Sequence, residues 1–207
     1  MAWEFNSSVA ENFGVHARQH IPNYDQVINQ CIDICNTYPK SAKIVDIGCA
    51  VGETINRLNE CGFINLYGID SSKDMLAYCN PANATYICSA SLPSLQNIDV
   101  ALMNWTLHFI KDKQSYLTAI FDQLADNGTL VLTDKVSLDP YLINFYHSLK
   151  KAQGVSDQDI AAKAASIENI MFINSTQWYL DVLKHIGFRK IFLINASWCF
   201  NTFICLK

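Results

Sequence analysis

The stretch Lys43 to Leu58, KIVDIGCAVGETINRL, constrains this chain more than any other. A short apolar run, Ile44-Val45, reads as a buried parallel strand. Asp46 stands near the strand's end, Gly48 and Gly52 bracket a tight turn, and Glu53 to Leu58 read as the first turns of a helix. A strand, a glycine turn and a helix N-terminus gather backbone N–H groups and the positive helix end at one point. Glycine also lets a polar or carboxylate-bearing cofactor approach the backbone closely. The same pattern suits an ordinary strand-to-helix turn that holds no ligand, so the rest of the chain has to decide.

With 207 residues, half of them hydrophobic and 16% charged, the chain can bury the core of one α/β domain and is not composed like a disordered one. No apolar run approaches the roughly 20 residues that span a bilayer. The start, MAWEFNSSV, lacks the basic region and apolar core of a signal peptide. A cytoplasmic protein without a membrane partner is therefore expected. The formal charge of −4, with basic residues scattered singly, disfavours nucleic acid as the main partner and favours a small molecule. None of the eight cysteines forms a C-x-x-C pair. Cys49, Cys88, Cys199 and Cys205 lie among apolar neighbours, and buried free thiols are expected rather than a zinc or redox site. His16 and His20 have a metal-compatible spacing but no nearby acid or thiol, and no metal is expected.

Residues 7–37 read as one or two helices broken near Pro22, with Val27, Ile28, Cys31, Ile32 and Cys35 on the inner face. Strands are expected at 43–47, 64–69, 85–88, 100–103 and 129–133. Ser71 is the expected cap of the helix after the second strand. A helix from about Gln114 to Ala125 presents Leu117, Ile120, Phe121 and Leu124, and Asp126-Asn127-Gly128 stop it. Alternating strands and helices point to a doubly wound, mostly parallel α/β sheet covered on both faces. From 139 to 186 three helices follow, with Ser156 and Ser175 as caps. The chain ends in two strands, Phe188–Ile194 and Trp198–Leu206, around an Asn195-Ala196-Ser197 turn. The expected organisation is one domain over 1–207, with an N-terminal helical cap (1–40) and a helical insertion (139–186) over an acceptor site.

Ligands of open α/β sheets bind beyond the carboxyl ends of the strands. Asp46, Asp70, Ser89, Asn104 and Asp134 all fall at or just after such ends. Asp70, at the end of the second strand, is placed to accept both hydroxyl hydrogens of a ribose. The turn is G-x-x-x-G rather than the G-x-G-x-x-G of a dinucleotide fold, which argues against a pyrophosphate lying across it. Asp46 adds a negative charge suited to a cationic ligand.

VDIGCAVG with Asp70 and the C-terminal hairpin resembles the class I S-adenosylmethionine-dependent methyltransferases over nearly the whole chain. The resemblance implies a Rossmann-like sheet of seven strands with a reversed C-terminal hairpin. It further implies S-adenosylmethionine as cofactor and S-adenosylhomocysteine as product. Asp46, Gly48, Cys49, Ala50 and Gly52 would line the methionine site, with Ala50 in place of the commoner middle glycine. Asp70 and Ser71 would hold the ribose, and Ser89 and Ala90 the adenine side. Ala90 stands where many relatives place an acid, leaving base recognition to backbone groups.

A more particular resemblance lies in VAENF (9–13), IPNY (21–24), MNWTLHFI (103–110), LVLTDK (130–135) and IENIM (167–171). These are similar to the carboxy-S-adenosylmethionine synthases, which make a carboxylated cofactor from prephenate. By that match Tyr24 packs on the cofactor and Asn104 contacts it. The synthases place an arginine after a lysine, four residues before the glutamate of that last segment, to hold the extra carboxylate. Here the pair is Lys163-Ala164, ahead of Glu168. Alanine cannot make that bidentate contact. Arg18, Arg57 and Arg189 are the arginines that could replace it. Methyl transfer from S-adenosylmethionine to a small acceptor is thus the leading expectation, with synthase-like chemistry or non-catalytic cofactor binding as alternatives. His108 is the expected base if the acceptor must lose a proton, or else a histidine on the next helix's outer face. Tyr146, His147, Phe172, Trp178 and Trp198 would either wall the acceptor pocket or pack a helical cap. Asp134-Lys135 read as a salt bridge or an acceptor contact, and a homodimer is compatible with the relatives.

Overall fold

Side-chain alternation along the central strands explains the layering of this molecule. A computed structural model of the chain describes residues 5–167 and 170–207. Seven strands form one sheet: β1 (Ile44–Ile47), β2 (Leu66–Asp70), β3 (Thr85–Cys88), β4 (Ile98–Asn104), β5 (Leu124–Lys135), β6 (Lys190–Ser197) and β7 (Phe200–Leu206). The order is β3-β2-β1-β4-β5-β7-β6, and β7 runs antiparallel to both of its neighbours. Ile44, Val100, Leu102 and Val131 point to one face and pack on Val27, Cys31 and Cys35 of α3 (Tyr24–Cys35) and on Ile55 and Leu58 of α4 (Glu53–Glu60). Val45, Ala101, Met103, Leu130 and Leu132 point to the other, against Leu117 and Ile120 of α6 (Lys113–Gln123) and Tyr179 and Leu183 of α9 (Thr176–Ile186). A period of two with both faces apolar demands two covering layers, which is why these strands read as unbroken hydrophobic runs.

The N-terminal segment divides more finely than its sequence suggests. Besides the break at Pro22, Asn12 separates α1 (Ser7–Glu11) from α2 (Phe13–His20). Asn6 caps α1 by accepting from the Val9 N–H. The short α5 (Lys73–Leu76) is capped by Ser72, not Ser71, because Ser72 has the extended backbone that lets its oxygen accept from the Met75 N–H. β2 starts at Leu66 rather than Ile64, which is largely exposed. β5 begins at Leu124, which pairs with Ile98, so the Asp126-Asn127-Gly128 stretch lies within the strand's irregular entry rather than ending α6.

The hairpin turn lies two residues later than expected. Asn195, Ala196 and Ser197 pair with Thr202, Asn201 and Phe200, and Trp198-Cys199 make the turn with Trp198 at φ 53°. Strand pairing outweighed the turn preference of Asn195 and Ser197. Of the helices between 139 and 186, α7 (Pro140–Ala152) and α8 (Asp157–Ile167) lie apart from the sheet core, whereas α9 is one of its covering layers. Ser156 and Ser175 accept from the N–H groups of Asp159 and Trp178 at the starts of α8 and α9. Among the described residues no helix is long and apolar enough to cross a membrane. All eight cysteines are free thiols, but Cys88 is exposed, because β3 is the sheet's edge strand.

β1 pairs with both β2 and β4, so successive crossovers depart in opposite directions at this point. Such a switch point opens a crevice at the strand ends. Leu102 stands at the centre of β4 with no exposed surface. Leu102→Ala should lower unfolding free energy by about 2–5 kcal/mol, read as a reduced urea midpoint with an unchanged denaturant slope.

Candidate functional site

The crevice holds a cavity of about 350 Å³. Its floor is the turn from Gly48 to Gly52. Gly48 and Gly52 have φ of 76° and 77°, and Ala50 between them has φ 48°. A Cβ on Gly48 would fall 1.9 Å from Thr106 Oγ1, so no other residue fits there. Ala50 retains the left-handed backbone of a middle glycine at a steric cost of about 1–2 kcal/mol. Gly52 is the N-cap of α4 and stands just behind the floor, while Gly48, Cys49 and Ala50 line it.

Asp70 holds the turn in place. One carboxylate oxygen accepts from the Ala50 N–H at 2.9 Å and the other from the Ser72 N–H at 2.8 Å. A carboxylate offers about four lone-pair positions, so acceptor capacity remains on both oxygens. Ser71, Ser89 and Ala90 complete that wall. The Ser89 N–H donates to the Asp70 carbonyl, and its hydroxyl donates to the Ser91 carbonyl at 2.7 Å.

The opposite wall is apolar with polar points. Asp46 is 4% exposed, and burial followed by the charge of Asp70 pushes its carboxyl up to about 7. Asn104 donates to Cys31 Sγ, and its Oδ1 is buried with no partner among the described residues. Tyr24 stacks on Trp105 with ring centroids 4.6 Å apart and donates to Glu53. Arg18 and Arg57 both pair with Asp25 and Glu53, in a network that ties α2, α3 and α4 together. Arg189 binds the Lys207 carbonyl and Asn127, away from the cavity.

Phe13, Trp105, Thr106, Phe109 and Ile170 also line the wall; they lie in the segments of the closer resemblance, which gives them no role, and Phe5 lies outside every such segment. Phe5 sits edge-on to Phe109 with centroids 5.4 Å apart, and its carbonyl accepts from the Ser72 hydroxyl. The N-terminal segment is thereby drawn over the crevice, a long-range contact that no local pattern announces.

The structure places His108 outside the described cavity wall. It is 3% exposed, in a single 3-10 turn (Leu107–Phe109), with its ring Nδ1 against Asp134. Asp134, fully buried, also accepts from the His108 N–H and the Tyr179 hydroxyl. Asp134 therefore joins a core network rather than a salt bridge with Lys135, whose Nζ lies 3.9 Å from Met171 Sδ. Neither reading of His108 from the sequence anticipates this, because the partners come from β5 and α9. Tyr146 packs against Cys199 and Phe200, and Trp198 stacks on Phe145. Phe172 and Trp178 line a separate surface groove beside Lys113. None of these aromatics, nor His147, lines the described cavity. Ala164 is exposed on α8, and Glu168 lies outside the described residues. The His16 and His20 rings lie 4.2 Å apart, tilted by 42°, and no cluster of metal-ligating side chains occurs among the described residues.

Comparison with known proteins adds three findings. Residues 17–191 match a family model described as a methyltransferase domain. The carboxy-S-adenosyl-L-methionine synthases of Actinobacillus pleuropneumoniae and Helicobacter hepaticus are 27% and 28% identical, covering 98% and 99% of this chain and 92% and 95% of theirs. Among solved structures, a putative S-adenosyl-L-methionine-dependent methyltransferase of Methanococcus maripaludis has a TM-score of 0.68 at 16% identity, over 100% of this chain and 95% of that one. Magnesium protoporphyrin IX methyltransferase of Synechocystis, solved with bound SAH, has a TM-score of 0.69 at 15% identity, over 98% and 96% of the two chains. At such identities the last two establish the fold alone.

Asp46 also sets a pH dependence. An acid whose folded-state pKa lies above its unfolded value keeps its proton longer in the native state, so stability is lost as pH rises between those values. For Asp46 that window runs from 3.8 to about 7. Asp46→Asn should match the wild type near pH 4 and exceed it above pH 7 by at most about 4 kcal/mol, at about 1.4 kcal/mol per pH unit. Urea unfolding at both pH values checks this.

Proposed function

We propose that this chain, which belongs to the methyltransferase-domain family, binds S-adenosylmethionine in the switch-point cavity and transfers its methyl group to a small-molecule acceptor, releasing S-adenosylhomocysteine. One observation carries this. The spare acceptor capacity of Asp70 and the orphaned Asn104 Oδ1 face one cavity, over a turn where a Cβ on Gly48 would strike Thr106. Asp70 would accept the ribose hydroxyls. Asn104 Oδ1 would accept from the amino group, near the charge of Asp46. Backbone groups of Gly48 to Ala50 and of Ser89 and Ala90 would bind the remaining polar edges, and Tyr24 with Trp105 would form an aromatic wall.

When bound, the cofactor supplies a methyl group already activated on a sulfonium sulfur. The chain's own share is then to align donor and acceptor and to exclude water. No histidine lines the described cavity, so His108 is assigned a positioning role, bracing Thr106 and Phe109 through Asp134 and Tyr179. In this reading the chain is a single-domain cytoplasmic protein acting on a small molecule rather than nucleic acid or a membrane, and a homodimer is compatible with its relatives.

Synthase-like chemistry on a carboxylated cofactor is favoured by a different observation. The arginines that could replace the missing one are committed elsewhere, but Lys135, Lys150 and Lys163 lie close enough to repel one another. Burial, then the neighbouring lysines, lowers Lys150 to about 8 and Lys163 to about 7. Met171, which Lys135 touches, follows Ile170 of the cavity wall. An anionic group on that side would relieve the repulsion.

Asp70→Ala would remove the acceptor of two backbone N–H groups along with any ribose contact, so Asp70→Asn is the cleaner probe. It should weaken S-adenosylhomocysteine by about 10–100-fold, the loss of one charge-assisted hydrogen bond worth about 1.5–3 kcal/mol. Unchanged affinity by calorimetry would sink the ribose assignment. Native mass spectrometry of the purified protein separates the two chemistries. S-adenosylmethionine or S-adenosylhomocysteine supports methyl transfer, and the carboxylated cofactor moves the synthase reading ahead. No ligand, and no binding on titration, would overturn both.

A further inference from the structure

Side chains on a strand alternate between its two faces, so consecutive residues of a regular strand do not serve one cavity. At the end of β4 the rule holds as far as Asn104 and then breaks. Met103 packs with the residues of α6 and α9, and Asn104 turns to the other face, where it donates to Cys31 Sγ of α3. Trp105 should return to the face of Met103. Its φ of 54° instead puts the backbone in the left-handed region, rare for so large a side chain, and the indole packs on the α3 face with Asn104. The Trp105 N–H holds this bend by donating to the Thr133 carbonyl at 2.6 Å. The ring is fixed as well, stacked on Tyr24 and packed against the buried groups around Ile28 and Tyr146.

The bend leaves neighbouring residues with complementary unmet needs. Asn104 Oδ1 is an acceptor and Trp105 Nε1–H a donor; both are buried without a partner among the described residues, and both residues line the cavity. A polar group that leaves water and gains no partner is costly, and backbone strain of this kind gathers at ligand sites. The rest of the wall decides what the indole can serve. Asp46, Glu53 and Asp70 line the cavity, but among the described residues no lysine, arginine or histidine does. An anionic group of a ligand must therefore be held there by neutral donors. The Thr106 hydroxyl is committed to the Asn104 carbonyl at 2.9 Å and the Tyr24 hydroxyl to Glu53, which leaves the indole as the buried side-chain N–H of the wall without a partner.

We propose that Trp105 is a further cofactor-binding residue whose indole N–H donates to one oxygen of the cofactor's α-carboxylate while Asn104 accepts from the α-amino group. The two residues then read the amino-acid end together. This rests on the cofactor assignment above, in which Trp105 is an aromatic wall and nothing more. The ammonium and carboxylate of an amino acid branch from one carbon, and adjacent residues carry the acceptor and the donor that match them. A hydrogen bond to a carboxylate is charge-assisted, and a rigid indole loses little freedom in making it. Three acids and no cation would otherwise disfavour the carboxylate, so the indole decides which nucleoside sulfides the cavity accepts.

The test is a cycle of two ligands and two proteins read by calorimetry. S-adenosylhomocysteine is compared with its analogue lacking the α-carboxylate, on the wild type and on Trp105→Phe, which keeps a flat ring but no N–H. The wild type should bind S-adenosylhomocysteine at least about tenfold more tightly than the analogue, as expected for a hydrogen bond to a charged group. Trp105→Phe should lose most of that preference while holding the analogue within about twofold of the wild type. An equal preference in both proteins, or no preference in the wild type, would overturn the role of Trp105. A second measurement needs no variant. With 15N-labelled tryptophan in the wild type, the indole N–H that shows nuclear Overhauser contacts to the Tyr24 ring should move downfield with S-adenosylhomocysteine and stay in place with the analogue. The same shift with both bound ligands, or with neither, would also overturn it. If the wild type binds neither ligand, the cofactor assignment itself falls and this role with it, whereas binding with an unchanged preference in Trp105→Phe removes the role of Trp105 alone.

Discussion

The Asp70 carboxylate bridging the Ala50 and Ser72 N–H groups is the contact on which the site depends. It joins the ends of β1 and β2, fixes three positive-φ residues within five positions, and starts α5 at its cap. Left-handed backbone is unfavourable for alanine, so the Ala50 conformation persists only because a charge-assisted hydrogen bond and close packing hold it. Burial, and after it the charge of this same carboxylate across the crevice, raises the pKa of Asp46, so two acids with different partners share one cavity. One is satisfied by backbone, and the other is buried without such support. That asymmetry suits a ligand with hydroxyls at one end and a positive charge at the other.

The second organising contact is the core network of His108, Asp134 and Tyr179. A fully buried carboxylate is costly unless it is hydrogen-bonded, and here every donor comes from a different part of the chain. His108 lies in the same short turn as Phe109, Thr106 immediately precedes that turn, and both of these neighbours line the cavity. The sequence suggested a base beside the cofactor or an outward-facing histidine. A buried brace differs from both, since it depends on pairing across elements that are twenty-six and forty-five residues from Asp134.

Cation placement follows a similar logic. Arg18 and Arg57 neutralise Asp25 and Glu53 at the rim, joining the N-terminal cap to α4. Lys150 is nearly buried, 4.4 Å from the Tyr146 ring centroid, and is pushed toward its neutral form by burial and by Lys135. The two groups of cations thus have opposite electrostatic settings. The arginines join a surface network, and the lysines repel one another.

The sequence alone determined the strand-and-helix alternation, the two-faced burial of β1, β4 and β5, and the glycine turn with its acids. Each of these is local: alternation of apolar residues, a helix cap, or a glycine where no side chain fits. It also pointed to Asp70 and Asn104, because strand ends are where open sheets present ligands. Tertiary structure decided what local pattern cannot encode. Phe5 and Phe13 cover the crevice, Trp105 stacks on Tyr24, and Asp134 turns inward to His108 and Tyr179. The final hairpin shows the same division. Asn195 and Ser197 prefer turns, but seven paired residues of β7 and their buried face set the register, and the turn fell at Trp198-Cys199 instead. Strand register is decided by which side chains the sheet must bury, and that is a property of the packed molecule rather than of any single stretch.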